Sequence, residues 1–333
     1  MPWKSILLIL LLLLIVPAVL YIGSLDWSRH HSTVVAALPL YIKQANSGVY
    51  RLPVNQFEYL IRVAGMQNKG PNLVLLHGFP ESSIMWDALA RRTARDGFQV
   101  LAFDQRGYSP GARPTNVAQY RIDTLATDVA KIADAVGFRT FHLVGHDWGA
   151  AVDWKAVMDF PERILTWTAL SIPHFGAFLT GVVHDPEQKK RSSYFGFFQR
   201  PLLPEFLFTY NGQKGMKKLL ATLYELHRNE YLSILAEPGA LTDELNWYRA
   251  VDVNALVAGK TLDQPITRPT LFIWGTKDFA IAPSVVARQR PFIRGPYQEI
   301  RLDADHALMQ HQEKAVTEAV LAYLKTVCPF LKR

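Results

Sequence analysis

Four short stretches of the chain are apolar at nearly every position: Leu73–Leu76, Val100–Phe103, Phe141–Val144 and Thr270–Ile273. Continuous runs of this length are expected of parallel strands buried on both faces. Between them the period lengthens to that of a helix, over Leu125–Val136, over Ala150–Met158 and, near the carboxy end, over Val316–Val327. Strands alternating with helices imply a mostly parallel α/β sheet. Phe57–Val63 alternates well enough to predict a further strand, followed by a turn at Gln67-Asn68-Lys69-Gly70-Pro71. One region breaks the alternation. From about His174 to Gly259 the apolar spacing is helical and the composition is rich in aromatic residues, Pro and Lys, which reads as an inserted, mainly helical subdomain.

A different pattern occupies the amino end. Ile6 to Ile22 carries no charge over 17 residues and has no polar face. At about 1.5 Å per residue it nearly matches a hydrocarbon core about 30 Å thick, so residues 1–23 are expected to form a transmembrane helix, followed by a polar connector over residues 24–48. The short tail ahead of it favours a cytoplasmic amino end, which puts the body outside the cytoplasm. Lys4 and the small residues of Val16-Pro17-Ala18 also suit a signal peptide, so secretion after cleavage stays open as the alternative.

Composition narrows the classes. A chain of 333 residues with 49% hydrophobic and 20% charged residues is neither disordered nor a polytopic membrane protein. The net charge of +7 leaves room for a nucleic-acid partner, yet Lys189-Lys190-Arg191 and Lys217-Lys218 are short, scattered and unaccompanied by any binding motif, so they read as solvated surface. The single Cys328 cannot form an intramolecular disulfide or a paired-cysteine metal site. No metal spacing and no nucleotide fingerprint is present, so neither metal nor organic cofactor is expected.

The chemistry concentrates in Gly145-His146-Asp147-Trp148-Gly149, placed between a predicted strand and a predicted helix. This is the small-x-nucleophile-x-small form of a nucleophile elbow, in which a sharp turn lifts one side chain above the sheet edge; here that side chain is Asp147. Alone the motif also describes a loop with an N-capping aspartate. Downstream, Trp274-Gly275-Thr276-Lys277-Asp278 ends one apolar strand and Asp303-Ala304-Asp305-His306 follows another, which completes the order nucleophile, acid, histidine and predicts the triad Asp147, Asp278, His306. Upstream, Leu76-His77-Gly78-Phe79-Pro80 ends a strand where the Phe79 amide would serve with the Trp148 amide as an oxyanion donor.

With these motifs assembled, the chain resembles the epoxide hydrolases of the α/β-hydrolase superfamily, carrying H-G-F-P, G-H-D-W-G and a late D-x-x-H from about residue 57 to 326. The resemblance implies an α/β-hydrolase fold with core segments 49–173 and 261–333 around a helical cap at 174–260. It implies a cis Phe79-Pro80 bond, and it matches Tyr194 and Tyr248 to a pair of cap tyrosines that protonate the opening epoxide. Asp104-Gln105-Arg106-Gly107-Tyr108-Ser109 matches a buttressing loop, expected to hold a structural salt bridge. His77, His146 and His311 read as structural, the last on the final helix.

An aspartate at the elbow selects the reaction. It is ionised at neutral pH without help from a base, and its attack on an acyl group would yield a reactive anhydride, so its suitable target is saturated carbon bearing a leaving group. The product is an alkyl-enzyme ester that water activated by His306 must cleave. An epoxide needs a proton donor, which phenols supply. Phe175, Phe178, Phe195 and Trp247 predict an apolar pocket and hence a small lipophilic epoxide as substrate. Two alternatives stay open: a haloalkane dehalogenase using the same aspartate, although Phe79 stands where a halide donor is usual, and a non-catalytic binding protein on the same fold.

Overall fold

The structure is a computed structural model, and it describes residues 30–252 and 264–328. The apolar run expected to span a membrane lies outside these residues; among them, no helix is long and apolar enough to cross one.

Eight described strands form one sheet: β1 (Gly48–Val54), β2 (Phe57–Ala64), β3 (Asn72–Leu76), β4 (Gln99–Phe103), β5 (Phe141–His146), β6 (Ile164–Leu170), β7 (Thr270–Gly275) and β8 (Tyr297–Leu302), in the spatial order β1-β2-β4-β3-β5-β6-β7-β8. β1, β2 and β4 pair antiparallel and the remainder parallel. Successive side chains point to opposite faces, so Val74 and Leu76 join one core cluster while Leu73 and Leu75 join the other. Helices α3 (Ile122–Ala135) and α4 (Trp148–Asp159) contribute to the first cluster; α2 (Asp87–Arg95) and the last helix, Glu313–Val327, contribute to the second. Burial on both faces is the reason these strands read as continuous apolar runs.

Three strands depart from that signal. β1 contains Arg51 and Pro53 and tolerates them because it is an edge strand. β6 interrupts its run with Thr166 and Thr168, both buried. β8, read from the sequence as apolar, is a half-exposed strand at the opposite edge.

Between β6 and β7 lie α5 (Phe175–His184), α6 (Pro186–Arg191), α7 (Tyr194–Phe198), α8 (Leu203–Leu219), α9 (Glu225–Leu235) and α10 (Ala240–Arg249). The stretch read as a polar connector also holds a helix, α1 (His30–Ala37), which packs on α9 because its buried His31 and Val35 leave water there. Beyond β7 come α11 (Pro283–Arg288), α12 (Leu308–His311) and α13 (Glu313–Val327). His311 therefore closes the short α12, where Asp305 Oδ1 lies 2.8 Å from its Nδ1, and is not on the final helix as expected.

Candidate active site

The sheet delivers the candidate residues to one edge. Phe79 follows β3, Asp147 follows β5, Asp278 follows β7 and His306 follows β8, all at carboxyl ends of strands, where open α/β sheets present their ligand sites.

Asp147 sits at φ 49°, ψ −123°, a conformation that costs a non-glycine residue about 1–3 kcal/mol and aims its carboxylate out of the turn. Crowding explains the flanking glycines. A Cβ on Gly149 would collide with the Leu76 carbonyl, and one on Gly78 would collide with Asp147 itself. The Phe79 amide donates to Asp147 Oδ1 at 2.9 Å, across the cis Phe79-Pro80 turn. His306 Nε2 lies 3.2 Å from Asp147 Oδ2, and His306 Nδ1 lies 2.7 Å from Asp278 Oδ2. The amides of Ala280 and Ile281 donate to the other Asp278 oxygen at 2.7 and 3.1 Å and fix that carboxylate. The Trp148 amide, the second expected donor, opens α4 directly after the elbow.

Electrostatics follow from this geometry. Burial disfavours charge on His306, but Asp278 and Asp147 more than offset it, so the imidazole is held protonated well above its ordinary range. Asp147 is only 8% exposed; burial pushes its carboxyl up, and the hydrogen bond and charge of His306, with His146 and the Phe79 amide, bring it below the usual carboxylate value. The imidazole is thus bracketed by a carboxyl group on either side.

The inserted helices bring Tyr194 and Tyr248 over the elbow. The Tyr248 ring stands edge-on to Trp148 at 5.1 Å and to Phe79 at 5.4 Å, and Tyr194 lies 6.1 Å from Tyr248. Burial, and then the charge of Asp147, raise both phenols well above their usual range, so both remain protonated hydrogen-bond donors. Beside them a cavity of about 180 Å³ runs from Asp147 and Trp148 along Phe175, Phe178, Phe195 and Trp247. It reaches Tyr120 and Arg121, which carry no motif and were invisible in the sequence.

The supporting residues were partly legible. Arg106 donates to both Asp128 oxygens at 2.7 and 2.8 Å, the expected structural salt bridge, and Trp247 Nε1 donates to the Arg106 carbonyl at 2.8 Å. His77 accepts from the Gln105 amide at 3.0 Å. His146 does more than pack: its Nδ1 faces Glu81 Oε2 at 3.0 Å and its Nε2 faces the His306 carbonyl at 2.8 Å. Two acceptors require two ring hydrogens, and although burial opposes the charge, Glu81 holds the His146 pKa above its ordinary value. Ser171 Oγ donates to the same carbonyl at 3.2 Å, so the His306 loop is clamped from two sides. Glu81 directly follows H-G-F-P and was the one available signal for this clamp. Gln199 was also missed; its side chain donates to the carbonyls of Tyr248 and Val251 at 3.0 Å each and secures the tyrosine-bearing helix.

Comparison with known proteins agrees with this architecture. The family model described as alpha/beta hydrolase fold matches residues 71–308. Epoxide hydrolase 4 of Homo sapiens is 30% identical over 297 residues, covering 86% of this chain and 78% of its own. Epoxide hydrolase A of Mycobacterium tuberculosis is 32% identical over 298 residues, covering 76% and 90%. Among solved structures, one of the novel epoxide hydrolases from metagenomes of hot environments superposes with a TM-score of 0.72 at 28% identity, covering 84% of this chain and 99% of that one.

Proposed function

The chain belongs to the α/β-hydrolase family, as an epoxide hydrolase, and from that membership we propose that Asp147 is its nucleophile and that catalysis passes through an alkyl-enzyme ester. The observation carrying this reading is the position of the Asp147 carboxylate, projected from a strained turn between the Phe79 amide and His306.

In the first step an Asp147 oxygen bonds to an epoxide carbon, the ring C–O bond breaks, and the departing oxygen takes a proton from Tyr194 or Tyr248. Ester formation removes the Asp147 charge, and with it one of the interactions that keep His306 protonated. The imidazolium then returns its proton to the tyrosinate through the site, leaving a neutral imidazole oriented by Asp278. That imidazole deprotonates water, which adds to the Asp147 carboxyl carbon while the Phe79 and Trp148 amides hold the oxyanion. Collapse expels the diol oxygen, which takes the proton of His306, and the Asp147 carboxylic acid so formed passes its remaining proton to His306, which restores both the carboxylate and the imidazolium. Dehalogenation is disfavoured by Phe79, whose ring packs against Phe198 and Tyr248 and offers no donor to a halide.

Helices 175–249 serve as the cap, and the apolar cavity lining selects lipophilic epoxides. Ile6–Ile22 anchors the enzyme to a membrane, with the body on the non-cytoplasmic side, and such substrates reach the cavity from the bilayer. His306→Gln and Asp147→Ala test the chemistry together. Mixed with a stoichiometric epoxide and analysed by intact mass, the first should accumulate the covalent adduct and the second should form none; equal adducts in both, or none in His306→Gln, would overturn the scheme.

A further inference from the structure

The cap carries a surface that the hydrolysis chemistry does not use. Helix α8 is broken at Tyr210–Gln213, where Asn211, Gly212 and Gln213 all have positive φ, so the chain doubles back and Gly215 lies against the Leu207 carbonyl. The bend is held from inside: Gln213 is buried and donates to the Leu232 carbonyl of α9 at 3.2 Å. Outside it, large apolar side chains stand in water, Leu202 at 75% exposure, Leu207 and Leu219 at 50% and Tyr210 at 47%. The exposed Lys214, Lys217 and Lys218 follow the bend on the same helix, just ahead of Leu219. Exposed apolar residues gathered on one element mark an interaction surface, and basic residues beside them favour an anionic partner.

We propose that this bend of α8 docks on the surface of an anionic bilayer, an inference that rests on the reading of Ile6–Ile22 as a membrane anchor. Two observations choose the bilayer. Leu232 receives the bend and the adjacent Ser233 hydroxyl lies 3.4 Å from His31 Nδ1, so the bend and α1 flank the same turn of α9. Eight residue steps separate Ile22 from His30 and reach at most about 28 Å, which keeps α1 and its neighbour the bend close to any membrane that holds the apolar run. Charge decides against a second copy of the chain, because a two-fold interface through this surface would set the same lysines against each other. On an anionic leaflet each lysine instead raises partitioning by about fivefold.

The test uses the full chain reconstituted in phosphatidylcholine vesicles with or without phosphatidylserine. Leu207→Cys carries an environment-sensitive fluorophore, and Thr140→Cys, exposed at the opposite end of the strands, is the control; buried Cys328 stays in place. A lipid-borne nitroxide should quench the label at 207 several-fold more than the label at 140 on anionic vesicles. The difference should vanish in 0.5 M salt, or when Lys214, Lys217 and Lys218 are all replaced by Glu. Equal quenching at both positions in protein that floats with the vesicles overturns the docking and leaves the anchor standing, whereas protein that does not float overturns both. A label at 207 that responds to protein concentration and ignores the lipid quencher assigns the surface to a second copy and also overturns the proposal. Diol formation by both labelled proteins reports that they are folded and bears on the epoxide reading separately.

Discussion

The two halves of the candidate active site are held in different ways. On the sheet side, every acting group is fixed by hydrogen bonds: Asp147 by Phe79 and His306, His306 by Asp278, and Asp278 by two backbone amides. On the cap side, Tyr248 is surrounded by rings, with Phe198 at 4.8 Å, Phe195 at 5.0 Å and Trp148 at 5.1 Å, while Gln199 holds its backbone. Hydrogen bonds fix direction, which a nucleophile and its base require. Ring packing fixes position with less directional demand, which suits the donor role proposed for Tyr248 toward epoxides of differing shape.

Substitutions ranked by expected effect probe this contrast. Asp147→Asn keeps the size of the side chain and removes its charge, and should lower kcat/KM by about 10⁴-fold or more in a diol-formation assay. Replacing both Tyr194 and Tyr248 with Phe should cost about 10⁴-fold, and either alone only about tenfold, because one phenol partly covers for the other. A pair no worse than its weaker member would place the acid elsewhere. Asp278→Asn acts through His306: with that carboxylate charge gone, the imidazole loses its main support against burial and its pKa falls. Since a base must be unprotonated, the acid limb of the kcat–pH profile should move to lower pH while the alkaline plateau drops, and an unmoved limb would detach Asp278 from the base. Gln199→Ala should be milder, about tenfold in kcat/KM with the triad chemistry intact, read as normal accumulation of ester in the His306→Gln background.

The smallest effect concerns stability at the contact between α10 and the core. Burial raises the Asp243 carboxyl to about 6, and the Tyr120 hydroxyl donates to it at 3.1 Å. A raised folded-state pKa means that the favourable contribution exists below the unfolded value near 3.8 and is lost as pH rises through about 6. Asp243→Asn, which still accepts from Tyr120, should therefore stabilise the protein at pH 8 by at most about 3 kcal/mol, with the gain shrinking toward pH 4. Urea unfolding at both values measures it, and an equal gain at each would contradict the assignment.

The same contrast sets what could be read in the sequence. Strands buried on both faces announce themselves as apolar runs, and the elbow's glycines mark a fixed local spacing around Asp147, so β3, β4, β5, β7 and the placement of Asp147 were legible. The edge strands β1 and β8 face water on one side, and their mixed patterns hid the first and disguised the second. Helix α1 was lost because its eight residues include two histidines and a serine, and the one buried histidine, His31, depends on α9, some 200 positions away. Glu81 and Gln199 act through backbone carbonyls and side chains distant in sequence, and such contacts leave no periodic trace. Tyr194 and Tyr248 rested on family likeness, since one tyrosine among thirteen has no local mark.

The central claim is that the oxygen added to the epoxide comes from Asp147 and not directly from water. A single turnover in oxygen-18 water, with enzyme in excess, followed by proteolysis and mass analysis of the Asp147 peptide, tests it. The account predicts that the label enters Asp147 while the first diol carries none. Label in the first diol with an unlabelled Asp147 peptide would mean that water attacks the epoxide itself, and would contradict the account.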